Sequence, residues 1–114
     1  MSRIAYVNGR YLPHGEAVVH IEDRGYQFSD GIYEVIALRR GALVDEAPHL
    51  DRLERSLGEL RIERPMGRRA LSAVMREVAR RNRVREGIVY IQVTRGVARR
   101  DHAFPVDLPP SLVM

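Results

Sequence analysis

The N-terminal part of the chain alternates between apolar and polar positions over short runs, a pattern typical of β-strands. Strands are predicted at residues 4–7, at Tyr11-Leu12, at Ala17–Ile21, at Gly31–Arg39, near Leu43-Val44 and from Gly87 onward. Asn8-Gly9 between the first two strands is a strong hairpin signal, and Glu22–Gly25 is predicted to form a turn.

The strand over residues 31–39 has two different faces, because neighbouring side chains on a strand point in opposite directions. One face carries Ile32, Glu34, Ile36 and Leu38, and the other carries Gly31, Tyr33, Val35 and Ala37. Glu34 stands out on the more apolar face, since a buried carboxylate needs a partner. An arginine or a subunit interface would supply one.

Two segments change to helical periodicity. The first follows Asp45-Glu46, with Pro48 in its first turn, and its predicted buried stripe is Leu50, Leu53, Leu57 and Leu60. The second follows Pro65 and Gly67, with an apolar side of Leu71, Val74, Met75 and Val78. Its opposite side carries Arg69, Arg76, Arg80 and Arg83.

These elements predict one α+β domain over residues 1–114, a mostly antiparallel sheet with two helices packed on one face. Residues 111–114 resemble the first residues of another strand. The ending leads us to expect that the chain is part of a longer protein.

Composition narrows the class of protein. Hydrophobic residues make up 45% and charged residues 30%, which indicates a folded domain. There is no cysteine, and no apolar run has the length of a membrane span, so we expect a cytoplasmic protein without membrane contact. The four histidines lack metal-ligand spacing, and no metal site is expected.

The charge raises one alternative function. The net charge is +4, all 19 basic residues are arginine, and residues 68–85 hold seven arginines against Glu77. An alternative hypothesis is therefore that the chain binds nucleic acid or another anion, with an affinity that depends on salt. Elsewhere the arginines alternate with acids, and a charged helix face opposite the core is ordinarily solvated, so no nucleic-acid partner is expected.

Four motifs occur in a fixed order along the chain. They are Y-V-N-G-R-Y at 6–11, D-R-G-Y-Q-F-S-D-G-I-Y-E at 23–34, H-L-D-R-L at 49–53 and T-R-G-V-A-R-R-D-H-A-F-P at 94–105. Together they resemble the N-terminal domain of the fold-type IV pyridoxal phosphate aminotransferases, and most closely that of the D-amino acid aminotransferases. The aspartates and glycines of the second motif are predicted to be structural, in turns and close approaches.

The resemblance implies a cofactor role for Arg52, because the arginine of H-x-x-R-L binds the cofactor phosphate in that family. A guanidinium matches phosphate oxygens in a bidentate geometry. Without the resemblance, Arg52 would be taken for a solvated helix arginine.

The resemblance also implies that Tyr33, Arg100 and His102 bind the substrate's α-carboxylate. Arg100 and His102 are expected on the same side of an extended loop, reaching across a homodimer interface to the tyrosine of the other subunit. On pattern alone, Tyr33 could be a core aromatic and the loop pair could be solvated.

The expected activity is transfer of an amino group between a D-amino acid and a 2-oxo acid, with pyridoxal 5'-phosphate as cofactor. The family's catalytic lysine is absent from this chain, so we expect a lysine-bearing C-terminal domain elsewhere and no activity from these 114 residues alone. The alternatives are a branched-chain L-amino acid aminotransferase, an aminodeoxychorismate lyase, or a non-catalytic domain that binds anions or phosphate.

Overall fold

The computed structural model describes residues 3–114 and contains a single six-stranded sheet in the order β2-β1-β6-β5-β3-β4. The strands are β1 (Ile4–Val7), β2 (Arg10–Pro13), β3 (Gly31–Arg39), β4 (Ala42–Leu43), β5 (Gly87–Thr94) and β6 (Ser111–Val113). The helices are α1 (Arg24–Phe28), α2 (Glu46–Leu60) and α3 (Arg68–Arg81), with a short 3-10 turn at His14–Glu16. Every strand pairing is antiparallel.

The sheet and its two long helices enclose one core. α2 packs over β3 and α3 packs over β1. The buried core side chains come from four strands (β1, β3, β5 and β6), from both long helices and from Ile62 and Met114, which follow α2 and β6. Examples are Tyr6, Ile36, Leu53, Met75, Ile91 and Leu112. The predicted α+β architecture, with two helices on one face, is confirmed. No helix within residues 3–114 is both long and apolar enough to cross a bilayer.

β3 and β5 form the longest strand pair of the sheet, and their register determines which side chains lie on each of its two faces. Their register runs from Gly31 opposite Thr94 to Leu38 opposite Gly87. The alternation predicted for β3 is confirmed, because Glu34, Ile36 and Leu38 are buried while Tyr33 and Val35 are exposed. The face with Glu34 is covered by α2, and the face with Tyr33 is open.

One element predicted near the N-terminus is wrong, and a second is correct only at its start. The strand expected at Ala17–Ile21 does not form, and the turn expected at Glu22–Gly25 is present at residues 21–22 and then leads into α1, which begins at Arg24. Val18 is 72% exposed and Ile21 is 74% exposed, so their side chains find no neighbouring surface. Because strand preference largely measures packing against neighbours, an apolar run without such a surface does not become a strand.

The predicted stripe of α2 is correct except at its end. Leu50, Leu53 and Leu57 are buried, but Leu60 is 38% exposed. The helix ends at Leu60 and Arg61 takes a left-handed conformation with φ 56°. This turn brings Ile62, which is 6% exposed, into the core in its place.

The first helix and the start of β3 need glycine for close approach. A Cβ on Gly25 would lie 2.2 Å from Cγ2 of Thr94, and one on Gly31 would lie 2.6 Å from the carbonyl oxygen of Val93. The side chain of Asp23 caps α1 by accepting the Gly25 N–H at 2.8 Å. These contacts agree with the structural role predicted for this motif.

Candidate substrate and cofactor site

The buried carboxylate of Glu34 lies under α2, where it is held by two side chains, and we call Glu34, His49 and Arg52 the Glu34 cluster. Arg52 donates from Nε to Oε2 at 2.7 Å and from Nη2 to Oε1 at 2.8 Å. Nδ1 of His49 lies 2.7 Å from Oε1. Of the two explanations that the sequence left open for Glu34, the structure supplies an arginine partner, and it is Arg52.

Electrostatics fix the charges of this cluster. The hydrogen bonds from Arg52 are the largest influence and, with help from His49, hold the pKa of Glu34 below its usual range although burial opposes them. The hydrogen bonds with Glu34 also raise the pKa of Arg52. Glu34 is thus anionic and Arg52 cationic at neutral pH.

Arg52 keeps donors for a second anion. Its side chain is 58% exposed, whereas that of Glu34 is 4% exposed. A guanidinium has five N–H groups, and Glu34 takes one from Nε and one from Nη2. Nη1 and the second N–H of Nη2 are left for a ligand. This donor set fits a phosphate oxygen pair, which is the group that pyridoxal 5'-phosphate would present.

Tyr33 lies on the open face of the sheet, one residue before Glu34. Its side chain is 63% exposed and stacks on Tyr90 of β5, with ring centroids 5.6 Å apart and an angle of 18° between the planes. The hydroxyl of Tyr90 donates to Oε1 of Gln92 at 2.9 Å. The open face therefore presents phenol and amide groups that can donate hydrogen bonds to a carboxylate.

Arg100 and His102 lie in the segment after β5, residues 97–110, which we call the arginine loop. Both side chains meet the ring of Phe28 in α1. The guanidinium carbon of Arg100 is 5.3 Å from its centroid, and the ring of His102 is centred 5.4 Å away. Both residues are exposed, so their donors are accessible.

A second buried ionic group, the Asp30 cluster, consists of Arg24, Asp30 and Arg95. Arg24 donates from Nε to Oδ2 of Asp30 at 2.9 Å. Arg95 donates from Nε to the same oxygen at 2.7 Å and from Nη2 to Oδ1 at 3.1 Å. Burial alone would raise the pKa of Asp30, but the hydrogen bonds from Arg95 and Arg24 hold it below its usual range.

Sequence reasoning missed the Asp30 cluster. Arg24 fell in a segment predicted to be a turn, and Arg95 follows a strand end, where arginine is ordinarily solvated. The available signal was the pair of glycines at 25 and 31, which bracket Asp30 and imply close backbone packing on either side of it.

Within one chain the predicted site residues form three separate groups. Tyr33 stands on the open face of the sheet, Arg52 lies on α2 above the covered face, and Arg100 and His102 adjoin α1. Arg52 is connected to the strand of Tyr33 through Glu34, the next residue of β3, whose side chain lies on the opposite face of the sheet.

The family is decided by comparison with known families: the amino-transferase class IV model matches residues 31–113. The chain belongs to this family. Curated relatives include the D-alanine aminotransferase of Staphylococcus haemolyticus, 39% identical over 109 residues that cover 96% of this chain and 39% of the relative. The D-alanine aminotransferase of Bacillus licheniformis is 41% identical over 105 residues, covering 92% and 37%. The chain thus spans about two fifths of the length of these relatives.

Solved class IV aminotransferase structures share the fold. The branched-chain amino acid aminotransferase of Escherichia coli superposes with a TM-score of 0.91 at 16% identity, over 99% of this chain and 40% of that one. At this identity the likeness shows the fold alone. The 4-amino-4-deoxychorismate lyase of Pseudomonas aeruginosa gives a TM-score of 0.74 at 28% identity, over 96% and 37%.

Proposed function

We propose that this chain is the N-terminal domain of a cytoplasmic, homodimeric transaminase that moves an amino group between a D-amino acid and a 2-oxo acid. The observation that carries the proposal is the likeness to D-alanine aminotransferases at about 40% identity over at least nine tenths of the chain. The donor sets of Arg52 and of the open sheet face agree with the binding of phosphate and carboxylate.

Pyridoxal 5'-phosphate, when bound, supplies the electron sink for bond breaking at the substrate's α-carbon. In our proposal Arg52 binds its phosphate through Nη1 and the second N–H of Nη2. Glu34, itself contacted by His49, keeps the guanidinium from rotating away. Because the side chain of Glu34 is buried between the sheet and α2, it binds the inner edge of the Arg52 guanidinium. The outer edge faces solvent, and the ligand would bind there.

Substrate binding falls to the other groups. Tyr33 donates its phenolic hydrogen to the α-carboxylate, and Arg100 and His102 of the partner subunit complete the site. This division accounts for the separation of the three groups within one chain. The residue that moves the α-proton is a lysine, and since this chain has none, it comes from a second domain.

The phosphate role of Arg52 is tested by isothermal titration calorimetry of this chain with pyridoxal 5'-phosphate and, separately, with pyridoxal. We expect Arg52→Ala to weaken phosphate-ester binding about tenfold or more, the size of a lost charge-assisted hydrogen bond, and to leave pyridoxal binding unchanged. Arg55→Ala is the matched control, because Arg55 is an exposed arginine on the same helix. Equal losses in the two variants would reject the role.

The choice of substrate is tested on the complete enzyme with D-alanine and L-alanine as amino donors. We expect D-alanine to be used and L-alanine to be rejected. Arg100→Ala should raise KM for D-alanine about tenfold or more and reduce D-selectivity. Arg99→Ala, the neighbouring exposed arginine, is the control and should change neither.

Two alternatives have distinct outcomes in these experiments. Preference for L-alanine or for branched-chain L-amino acids would assign a branched-chain activity, consistent with the shared fold, and release of pyruvate from aminodeoxychorismate would assign the lyase. Phosphate-ester binding without transamination by the complete protein would leave a non-catalytic anion-binding domain.

A further inference from the structure

The arginine loop is attached to the domain by a buried side chain that the proposed reaction does not use. Nη1 of Arg24 donates to the backbone carbonyl of Asp101 at 2.7 Å. Asp101 lies between Arg100 and His102, the two residues proposed to bind the substrate carboxylate. The hydrogen bond therefore fixes the backbone between them. Arg24 itself is 2% exposed.

The other end of Arg24 is fixed. Its Nε binds Oδ2 of Asp30, the residue directly before β3. Asp30 is held in turn by Arg95, which also donates from Nη2 to the carbonyl of Leu60 at 2.7 Å and from Nη1 to that of Arg61 at 3.2 Å, at the end of α2. One guanidinium therefore connects the arginine loop to a point three residues from Tyr33 and, through Arg95, to α2.

The ring of Phe28 adds a second contact between the same partners. The guanidinium carbon of Arg24 lies 4.7 Å from its centroid, and Arg100 and His102 lie against the same ring. A cation above an aromatic ring is attracted to its face, and the attraction grows when the cation is desolvated, as Arg24 is. The Phe28 ring thus packs against the fixed guanidinium of Arg24 and also contacts the exposed side chains of Arg100 and His102.

We propose that Arg24 is a positioning residue: through the Asp101 carbonyl and Phe28 it sets the direction in which Arg100 and His102 project. This inference rests on the proposed function only for what the two side chains bind; the tether itself is independent of it. A flexible loop would have to be ordered each time substrate bound, and a prearranged pair avoids that entropic cost.

The tether is tested with Arg24→Lys, which retains the charge but replaces a planar fork with a single ammonium that does not reproduce both hydrogen bonds. Backbone ¹⁵N order parameters are measured on this chain. We expect those of residues 99–103 to fall from values typical of rigid backbone to below about 0.6, while β3 and β5 stay unchanged.

Arg95→Lys is the matched control, since Arg95 binds the same carboxylate but donates to α2 and not to the loop backbone. Its contact with the loop is at the ring of Phe104, 4.8 Å from the guanidinium carbon and outside residues 99–103. Arg95→Lys should change the end of α2 and leave 99–103 ordered. Unchanged order parameters in Arg24→Lys, or an equal fall across the whole sheet or in Arg95→Lys, would overturn the proposal. If Arg24→Lys does not fold, Arg24→Gln, with a shorter side chain that keeps one donor for Asp30, takes its place.

The functional consequence is measured separately on the complete enzyme. Arg24→Lys should raise KM for D-alanine about tenfold with little change in kcat, because the disordered ligands weaken binding and not the chemical step. A loosened loop with an unchanged KM would support the tether and overturn the carboxylate role of Arg100 and His102. The two failures are therefore distinguishable.

Discussion

Asp30 and Glu34 are two buried carboxylates four positions apart, and they differ in what their arginines do. Asp30 is 8% exposed and Glu34 is 4% exposed, and each accepts a two-point contact from a guanidinium. The side chains of Arg24 and Arg95 are 2% and 10% exposed, whereas that of Arg52 is 58% exposed.

This difference separates a structural ion pair from one that can serve a ligand. In the Asp30 cluster the arginines use their donors on the carboxylate and on backbone carbonyls. In the Glu34 cluster the carboxylate holds one edge of Arg52 and the opposite edge faces solvent. The exposure of the cation, more than the burial of the anion, distinguishes the two.

The largest effect is expected from breaking the Asp30 cluster. Asp30→Ala leaves Arg24 and Arg95 buried without their carboxylate, and removal of one partner from a buried ionic group costs about 3–5 kcal/mol. Urea denaturation followed by circular dichroism measures the free energy of unfolding. Glu63→Ala, which removes an exposed glutamate between α2 and α3, is the control. A loss below about 1 kcal/mol would show that the arginines find water instead.

A smaller loss is expected at the Glu34 cluster. Glu34→Ala removes the hydrogen bonds to Arg52 and His49, but Arg52 can turn into solvent. We therefore expect the free energy of unfolding, measured in the same denaturation experiment, to fall by about 1–3 kcal/mol. Glu34→Gln, which preserves shape and one acceptor, should lie between this variant and the wild type. If Glu34→Ala were as damaging as Asp30→Ala, the distinction between the two clusters would fail.

Acid should weaken both clusters. The pKa values of Asp30 and Glu34 are lowered in the folded state, so their stabilisation is complete above the unfolded pKa values of about 4. It is lost as the pH falls through the lower folded values. The urea midpoint, measured from pH 6 to pH 3, should drop on acidification, and Glu34→Gln should drop less. If the urea midpoints of the wild type and Glu34→Gln fell by the same amount between pH 6 and pH 3, a lowered pKa of Glu34 would be contradicted.

The smallest effect on stability is expected on the open face. Tyr33→Phe keeps the stack on Tyr90 and removes a hydroxyl from a side chain that is 63% exposed, so the free energy of unfolding should change by less than about 0.5 kcal/mol. Under the proposed function, the same variant of the complete protein should raise KM for D-alanine. Thermal denaturation and initial rates measure the two effects, and a large loss of stability would make Tyr33 a core residue.

Much of the fold follows from periodicity, and the exceptions have physical causes. The bounds of β3 were predicted correctly, because alternation over nine residues is a strong signal. α1 has five residues, too few to show a period, and residues 17–20 are apolar without a surface to pack on. Such cases depend on tertiary neighbours that a local pattern does not contain.

The same limit applies to the candidate site. The buried position of Glu34 and its need for a partner followed from its place on an apolar face, but the chain has 19 arginines, and only the docking of α2 selects Arg52. The pairing of Asp30 with Arg95 joins residues 65 positions apart and depends on the β3–β5 register. Long-range pairings of this kind have no local signature.

The position of β6 has a consequence for the order in which the domain assembles. β6 lies between β1 and β5, and Tyr6 and Met114 exchange backbone hydrogen bonds of 2.8 and 2.9 Å. Among the strands of residues 3–114, β1 pairs only with β2 and β6. The N-terminal hairpin is therefore synthesised first, but although it can contact α3 earlier, it can pair with the rest of the sheet only after residues 111–113 have been synthesised.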